Sequence, residues 1–305
     1  MQKERIGLID KLQNYCIHDG EGIRTLVFLK GCDMRCPWCS NPESLTMDIV
    51  LARADFKCED CGYCVRVCPK GAIAADYTLN TGLCDMCGAC VKACPKSAWS
   101  FYGVEMTPEE VVAAVEKDRA FYAKSGGGVT FSGGECTMQS MFLLNTLKLC
   151  KEKMINTAIE TNGNAPEHVY EALAPYVDMF LMDVKHMDSA KHKEYTGVPN
   201  DRVLRNIMRV ASELNKPVML RIPLIPGVND DDDNMEQTAA FAAEVKETGN
   251  LRMVNILPYH SLGASKYGVM GMEYTLDETE PPAQEKIDHV LEIFRRADVP
   301  VQQGG

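Results

Sequence analysis

Fourteen cysteines in a chain of 305 residues carry the chemistry that is most readable in this sequence. Three of them, Cys32, Cys36 and Cys39, lie in "FLKGCDMRCPWCSNPES", straight after an apolar run and at the spacing C-x3-C-x2-C. Thiolates are soft ligands suited to zinc and to iron–sulfur clusters. A structural metal is closed by four ligands, whereas a catalytic one keeps a position open for substrate. Three thiolates on an iron–sulfur cube would leave one iron open in that sense. A zinc site or an accidental spacing is the bland alternative for this motif taken alone.

Eight further cysteines fall in an internal repeat, "CEDCGYCVRVCPKGAI" and "CDMCGACVKACPKSAW", each with the pattern C-x2-C-x2-C-x3-C-P. That pattern is the ligand run of bacterial ferredoxins, in which three close thiolates hold one 4Fe-4S cube and the fourth ligates its neighbour. The implied sets are Cys58, Cys61, Cys64 and Cys94 on one cluster, and Cys84, Cys87, Cys90 and Cys68 on the other. Zinc modules normally use two separated pairs of ligands, which is a different arrangement. The segment 51–102 therefore reads as a ferredoxin-like insert between 1–50 and 103–305, which are the two parts of one larger domain. The insert is short of apolar core, so its clusters are expected to hold it together. Cys16, Cys136 and Cys150 have no ligand spacing. Disulfides are not expected in a chain that is neither small nor visibly secreted.

With 46% hydrophobic and 25% charged residues the composition is that of a globular protein. The net charge of −11 argues against a nucleic-acid surface, which depends on Lys and Arg meeting phosphates. The opening "MQKERIGLIDKLQ" lacks an apolar signal-peptide core, and no run of about 18 apolar residues follows. A cytoplasmic location without membrane contact is the expectation.

Something must position these ligands. Strand-like runs occur at 24–30, 128–132, 156–161, 179–184, 218–224 and 253–258, with helical stretches between them. One helix opens at Thr107-Pro108-Glu109-Glu110, a capping box with Pro in the first turn, and Val111, Val112, Val115 and Tyr122 supply its apolar face. Near-continuous apolar strands alternating with helices predict a parallel sheet covered by helices. In such folds the chemistry gathers beyond the carboxyl ends of the strands. Those ends carry the three cysteines, then Gly133-Gly134-Glu135, Glu160-Thr161-Asn162-Gly163, Asp183-Val184-Lys185, Arg221 within "LRIPLIPG", and Pro258-Tyr259-His260.

The C-x3-C-x2-C spacing with Trp38 before the third cysteine resembles the radical S-adenosylmethionine motif. The segments "IHDGEGIRTLVFLKGC", "WCSNPES", "SGGGVTFSGGE", "DVKH", "RIPLIPGVND" and "LPYHSLGASKY" extend the likeness over nearly the whole chain. Together they resemble the glycyl radical enzyme activating enzymes, in the branch with a two-cluster ferredoxin insert. The resemblance implies an α/β fold, a partial six-stranded (β/α) barrel. It also implies an activity: reductive cleavage of S-adenosylmethionine to a 5′-deoxyadenosyl radical, which abstracts hydrogen from a backbone glycine of a partner enzyme.

The implied cofactors are three 4Fe-4S clusters, S-adenosylmethionine and a monovalent cation. The implied partners are the C-terminal glycine loop of a glycyl radical enzyme and a flavodoxin- or ferredoxin-type reductant. By the same likeness Cys32, Cys36 and Cys39 hold the catalytic cluster and Trp38 packs the adenine. Gly133, Gly134 and Glu135 meet the cofactor amino group, Lys185 and Arg221 stand near its carboxylate and ribose, and His260 contacts the ribose. Lys185 joins the three cysteines in the catalytic set. Asp183, Glu160 and Thr161 would form the cation site, and Asp19 would face the incoming glycine loop.

Three positions depart from the family: Cys136 and Glu21 replace prolines, and Glu160 replaces the more common Asp. Cys136 reads as a packing cysteine. Two other functions are compatible with parts of the pattern. One is a radical enzyme acting on a small molecule or peptide, and the other is an electron-transfer polyferredoxin. The insert points to a lyase, dehydratase or decarboxylase as partner, of the choline, diol, hydroxyproline, isethionate or arylacetate type.

Overall fold

The structure, a computed structural model, describes residues 6–304. The expected ends of the outer segments, and the "MQKER" that opens the chain, lie outside the described residues.

Eleven strands occur among the described residues: β1 Gly7–Cys16, β2 Arg24–Leu29, β3 Val50–Arg53, β4 Trp99–Tyr102, β5 Val104–Met106, β6 Gly128–Gly133, β7 Asn156–Thr161, β8 Met179–Asp183, β9 Val218–Leu224, β10 Leu251–Pro258 and β11 Val301–Gln303. The six runs read from the sequence correspond to β2, β6, β7, β8, β9 and β10. They lie side by side in chain order and are parallel throughout. Three strands of the same sheet, β1, β5 and β11, are additions to that reading. β1 is antiparallel to β2, β5 is antiparallel to β1, and β11 is parallel to β10. β5 and β11 have three residues each and β1 is half-polar, so none shows the apolar run of a central strand.

Parallel neighbours in chain order, each joined by the same right-handed crossover, place their helices on one face of the sheet and leave the other face for a lumen. The helix-facing side packs the main core, including Val27, Leu29, Phe131, Ile159, Phe180, Met182 and Leu220. The lumen side holds a smaller apolar floor of Ala158, Met179, Leu181 and Met219. A flat sheet would separate β2 from β10 by about 24 Å, five steps of about 4.8 Å. Yet Phe28 of β2 and Leu257 of β10 line a single cavity of about 400 Å³, so the sheet is curled. Its terminal strands, β5 and β11, do not pair with each other, and the barrel stays open.

The capping box is formed: Glu110 N donates to Thr107 Oγ1 at 3.2 Å, and Thr107 N donates to Glu110 Oε2 at 2.8 Å. Helix Pro108–Val115 buries Val111, Val112 and Val115. Tyr122 belongs to the next helix, Arg119–Ser125, and its hydroxyl donates back to Val115 O at 2.9 Å.

Residues 50–102 leave and rejoin the chain through β3 and β4, an antiparallel ribbon with Val50 opposite Tyr102. Between them lie two five-residue helices, Tyr63–Val67 and Ala89–Ala93. Each follows a left-handed glycine, Gly62 at φ 69° and Gly88 at φ 71°, so the sequence repeat is also a backbone repeat. Helices this short have no stability of their own. Around them sits a separate apolar cluster of Leu51, Cys64, Ile73, Cys90 and Trp99. No described helix is long and apolar enough to cross a membrane.

Candidate active site

The loop that follows β2 is held from three sides. The end of β6 lies across it, with Gly134 N donating to Leu29 O at 2.9 Å and Glu135 N to Gly31 O at 2.7 Å. Two glycines make that approach possible. Gly133 has φ +122°, and a Cβ there would stand 2.0 Å from Leu29 O, while a Cβ on Gly134 would stand 2.4 Å from Gly31 O. From the end of β7, Asn162 and Asn164 donate to the two carboxylate oxygens of Asp33, both at 2.7 Å. From the segment after β10, Lys266 Nζ donates to Ser40 O at 2.8 Å, Asn41 Oδ1 at 3.0 Å and the buried Glu43 Oε1 at 2.7 Å. Tyr267 donates to Cys39 O at 3.1 Å. Asp33, Asn164, Lys266 and Tyr267 have no part in the sequence reading. Lys266 and Tyr267 lie in the "GASKY" stretch, whose likeness to the family was visible while its supporting role was not.

The loop turns Cys32, Cys36 and Cys39 into the lumen cavity with no disulfide among them. Burial pushes the Cys32 thiol to about 12 and the Cys36 thiol to about 11, the latter partly offset by the Lys185 ammonium. Such groups stay neutral thiols until a metal takes the place of the proton.

Polar side chains from the strand ends face these thiols. Lys185 Nζ stands 2.5 Å from Asp183 Oδ2. Burial alone would lower that ammonium, but Asp183 and the nearby thiols outweigh burial and raise it. Arg221 Nη1 stands 3.0 Å from Asp19 Oδ1 and 3.2 Å from Glu160 Oε1. Its Nε is buried and meets no partner. Ser132 Oγ donates to Glu160 Oε2 at 2.6 Å. Burial raises the Glu160 carboxyl despite the opposing Arg221.

Glu135 is fully buried and caps the turn that follows it, and burial raises its carboxyl too. Its Oε1 accepts from Thr137 N, Thr137 Oγ1 and Thr161 Oγ1 at 3.0, 2.6 and 2.8 Å. Its Oε2 accepts from Asn162 N at 2.6 Å and retains room for a second donor. Trp38 leans on Tyr195 with ring centroids 6.2 Å apart, and the exposed His260 stands at the cavity rim.

One cavity thus collects Cys32, Cys36, Trp38, Cys39, Gly133, Gly134, Glu135, Asp183, Lys185, Arg221 and His260, together with Asp19, Glu160 and Thr161. Cys136 does not line it. Its thiol is buried and donates to Glu160 O at 3.3 Å, and burial holds it well above the ordinary thiol range. Cys16 and Cys150 are buried as well. In the insert, Cys58, Cys61, Cys64 and Cys94 surround one small cavity. Cys68, Cys84, Cys87 and Cys90 surround a second. No three His, Cys, Asp or Glu side chains among the described residues gather closely enough to share a single metal ion.

Residues 26–239 match the Radical SAM superfamily. The choline trimethylamine-lyase activating enzyme of Oleidesulfovibrio alaskensis is 41% identical over 98% of this chain and 98% of its own. The trans-4-hydroxy-L-proline dehydratase activating enzyme of Clostridioides difficile is also 41% identical, over 98% of this chain and 99% of its own. The chain belongs to the activating enzymes of the radical SAM superfamily. A crystal structure of a domain of pyruvate-formate lyase-activating enzyme from Bacteroides vulgatus superposes with a TM-score of 0.50 at 33% identity, covering 59% of this chain and 100% of that one.

A radical SAM activating enzyme acts on a glycyl radical enzyme and works with a 4Fe-4S cluster and S-adenosylmethionine. The residues of this cavity fit both groups. Three thiols without disulfide partners suit a cube with one iron open. The Arg221 and Lys185 cations that line it suit a carboxylate, and the spare acceptor on Glu135 Oε2 suits an ammonium.

Proposed function

We propose that this activating enzyme makes a glycyl radical on a separately encoded lyase, dehydratase or decarboxylase, with Cys32, Cys36 and Cys39 holding the catalytic 4Fe-4S cluster. The single observation that carries this reading is that three thiols without disulfide partners, the Glu135 carboxylate and the Lys185 and Arg221 cations line one lumen cavity. When bound, the cluster and S-adenosylmethionine supply a primary carbon radical able to take a hydrogen atom from a glycine. The chain's own residues bind and orient. Arg221 and Lys185 meet the cofactor carboxylate and ribose, Glu135 with the Gly133-Gly134 backbone meets its ammonium, Trp38 covers the adenine, and His260 meets the ribose from the rim. Lys185 acts beside the cluster ligands, and its pairing with Asp183 keeps it charged there. Asp19 faces the entering glycine loop.

In this reading residues 51–102 form a ferredoxin-like insert with two more 4Fe-4S clusters, set in a partial (β/α)6 barrel of residues 1–50 and 103–305. The grouping of the eight insert thiols around two small cavities supports it. The total is three clusters, fed by a flavodoxin- or ferredoxin-type reductant. The free thiols suit a reducing cytoplasm. The −11 charge suits a protein that binds no nucleic acid. The relatives named for lyase and dehydratase activation support the choice of partner class.

The test uses anaerobic, iron-loaded, reduced protein with S-adenosylmethionine and the glycyl radical enzymes encoded beside it. A glycine doublet in electron paramagnetic resonance is expected, with deuterium from the labelled glycine appearing in 5′-deoxyadenosine. Exposure to air should then cut the partner chain at that glycine. Cofactor cleavage with no such doublet would transfer the reading to a small-molecule or peptide substrate, and iron-loaded protein that never cleaves the cofactor would return it to electron transfer.

A further inference from the structure

We propose that Glu160 does the work of a bound monovalent cation, holding Arg221 against the S-adenosylmethionine carboxylate so that cofactor binding needs neither K⁺ nor Na⁺. The inference rests on the cofactor site proposed above. It begins from the oxygens that would form the expected cation site, those of Glu160, Thr161 and Asp183. Glu160 Oε1 stands 3.2 Å from Arg221 Nη1, and Glu160 Oε2 accepts from Ser132 Oγ at 2.6 Å. Asp183 Oδ2 is paired with Lys185 Nζ at 2.5 Å. Thr161 Oγ1 donates to Glu135 Oε1 at 2.8 Å and faces Tyr170 Oη at 3.1 Å and Gly163 N at 3.2 Å. A hard cation needs a shell of about six oxygens. Each of the three side chains already meets a donor or cation of the protein, and Arg221 and Lys185 bring the positive charge that a bound cation would supply.

The length of Glu160 explains the difference. An Asp at this position would withdraw the carboxylate by about 1.5 Å, one carbon–carbon bond, and the contact with Arg221 would open. With Glu, the guanidinium is fixed through Nη1 to both Glu160 and Asp19, at 3.2 and 3.0 Å. Its buried Nε has no protein partner. The guanidinium is therefore held in a set orientation at the wall of the cavity, where its planar fork suits a carboxylate. The Arg221 side chain is 11% exposed and that of Glu160 20%, so salt screens the pair little. Glu160 is thus a positioning residue that acts on the cofactor through Arg221.

The test is cofactor affinity in matched salts. Full-length, iron-loaded protein is titrated anaerobically with S-adenosylmethionine in KCl, NaCl and tetramethylammonium chloride at equal ionic strength, following the change in the reduced-cluster spectrum. The wild-type dissociation constant is expected to agree within about twofold across the three salts. Glu160→Asp, with iron content unchanged, is expected to bind at least about tenfold more weakly in tetramethylammonium than in K⁺, because a small cation can then occupy the vacated space. A wild-type affinity that falls about fivefold or more without K⁺ and Na⁺ overturns the proposal. So does a Glu160→Asp variant that is indifferent to the salt. Should that variant fail to load iron, the wild-type series decides alone. Iron-loaded wild-type protein that binds no cofactor in any of the salts overturns the cofactor site itself, and the inference with it.

Discussion

Arg221 and Lys185 each stand beside carboxylates deep in the cavity, and each has more donors than those carboxylates use. A cation placed this way adds affinity through charge-assisted bonds, and removing it leaves its acidic partners uncompensated. Lys185→Met or Arg221→Lys should therefore weaken S-adenosylmethionine binding by about 1.5 to 3 kcal/mol with iron content unchanged. Lys in place of Arg221 keeps the charge but loses the fork, so a near-normal dissociation constant for that variant would mean that the carboxylate does not sit on the guanidinium. Cys136 illustrates the opposite case. A thiol one residue from Glu135 could be mistaken for a ligand, but the sequence reads it as a packing cysteine and the fold buries it in the core.

At the scale of elements, the cysteine loop has no regular structure across its ligands and borrows its shape from β6, β7 and the short helix Ala264–Val269 that carries Lys266. The tightest of these supports is the end of β6, where a Cβ on Gly134 would meet Gly31 O at 2.4 Å and Ser44 O at 2.6 Å. Both are backbone atoms, so relief requires the loop itself to move. Gly134→Ala is expected to cost about 2 to 4 kcal/mol of stability and to lower the occupancy of the catalytic cluster while the insert keeps its iron. Denaturant melts and iron analysis read both effects. Unchanged values would show that the loop can shift without loss.

For the whole molecule the two cores differ in what sustains them. The sheet and its helices bury an extensive apolar core, whereas the insert's small cluster packs Leu51, Ile73 and Trp99 against two of its own thiols, Cys64 and Cys90. Chelation of iron should unfold 51–102, read as loss of hydrogen-exchange protection there, and leave β6 to β10 protected. Three clusters correspond to about 12 iron atoms, and changing Cys32, Cys36 and Cys39 to Ala should leave about eight.

Acid should act on the sheet domain through His186 and His192. Burial lowers the pKa of both, and the Nε2 of each is buried without a partner. The unfolded chain takes up these protons below about pH 6.5 and the folded one resists them, so stability is lost as pH falls through that value. Each contributes to that loss while it stays neutral in the fold, so His192→Gln should make the fall in stability between about pH 6.5 and 5.5 shallower. Urea melts of the two proteins at both pH values measure it, and equal slopes would contradict the burial argument.

What could be read without a structure was local in the chain. Ligand runs, the capping box and the six central strands are written in spacings of two to eight residues, because coordination, capping and the burial of a central strand each involve near neighbours in sequence. The short strands β5 and β11 and the half-polar β1 escaped that reading because edge strands need no apolar run. Only the fold decides that Asp19 meets Arg221 across 202 residues, or that Asp33 is held by Asn162 and Asn164. Those meetings follow from the parallel register of β8 and β9, which sets Asp183 beside Arg221, and from the curl that brings β2 and β10 onto one cavity. A period of two assigns a side chain to a face of the sheet, but which partner it finds there depends on register and curvature, and these are fixed by packing of the whole core.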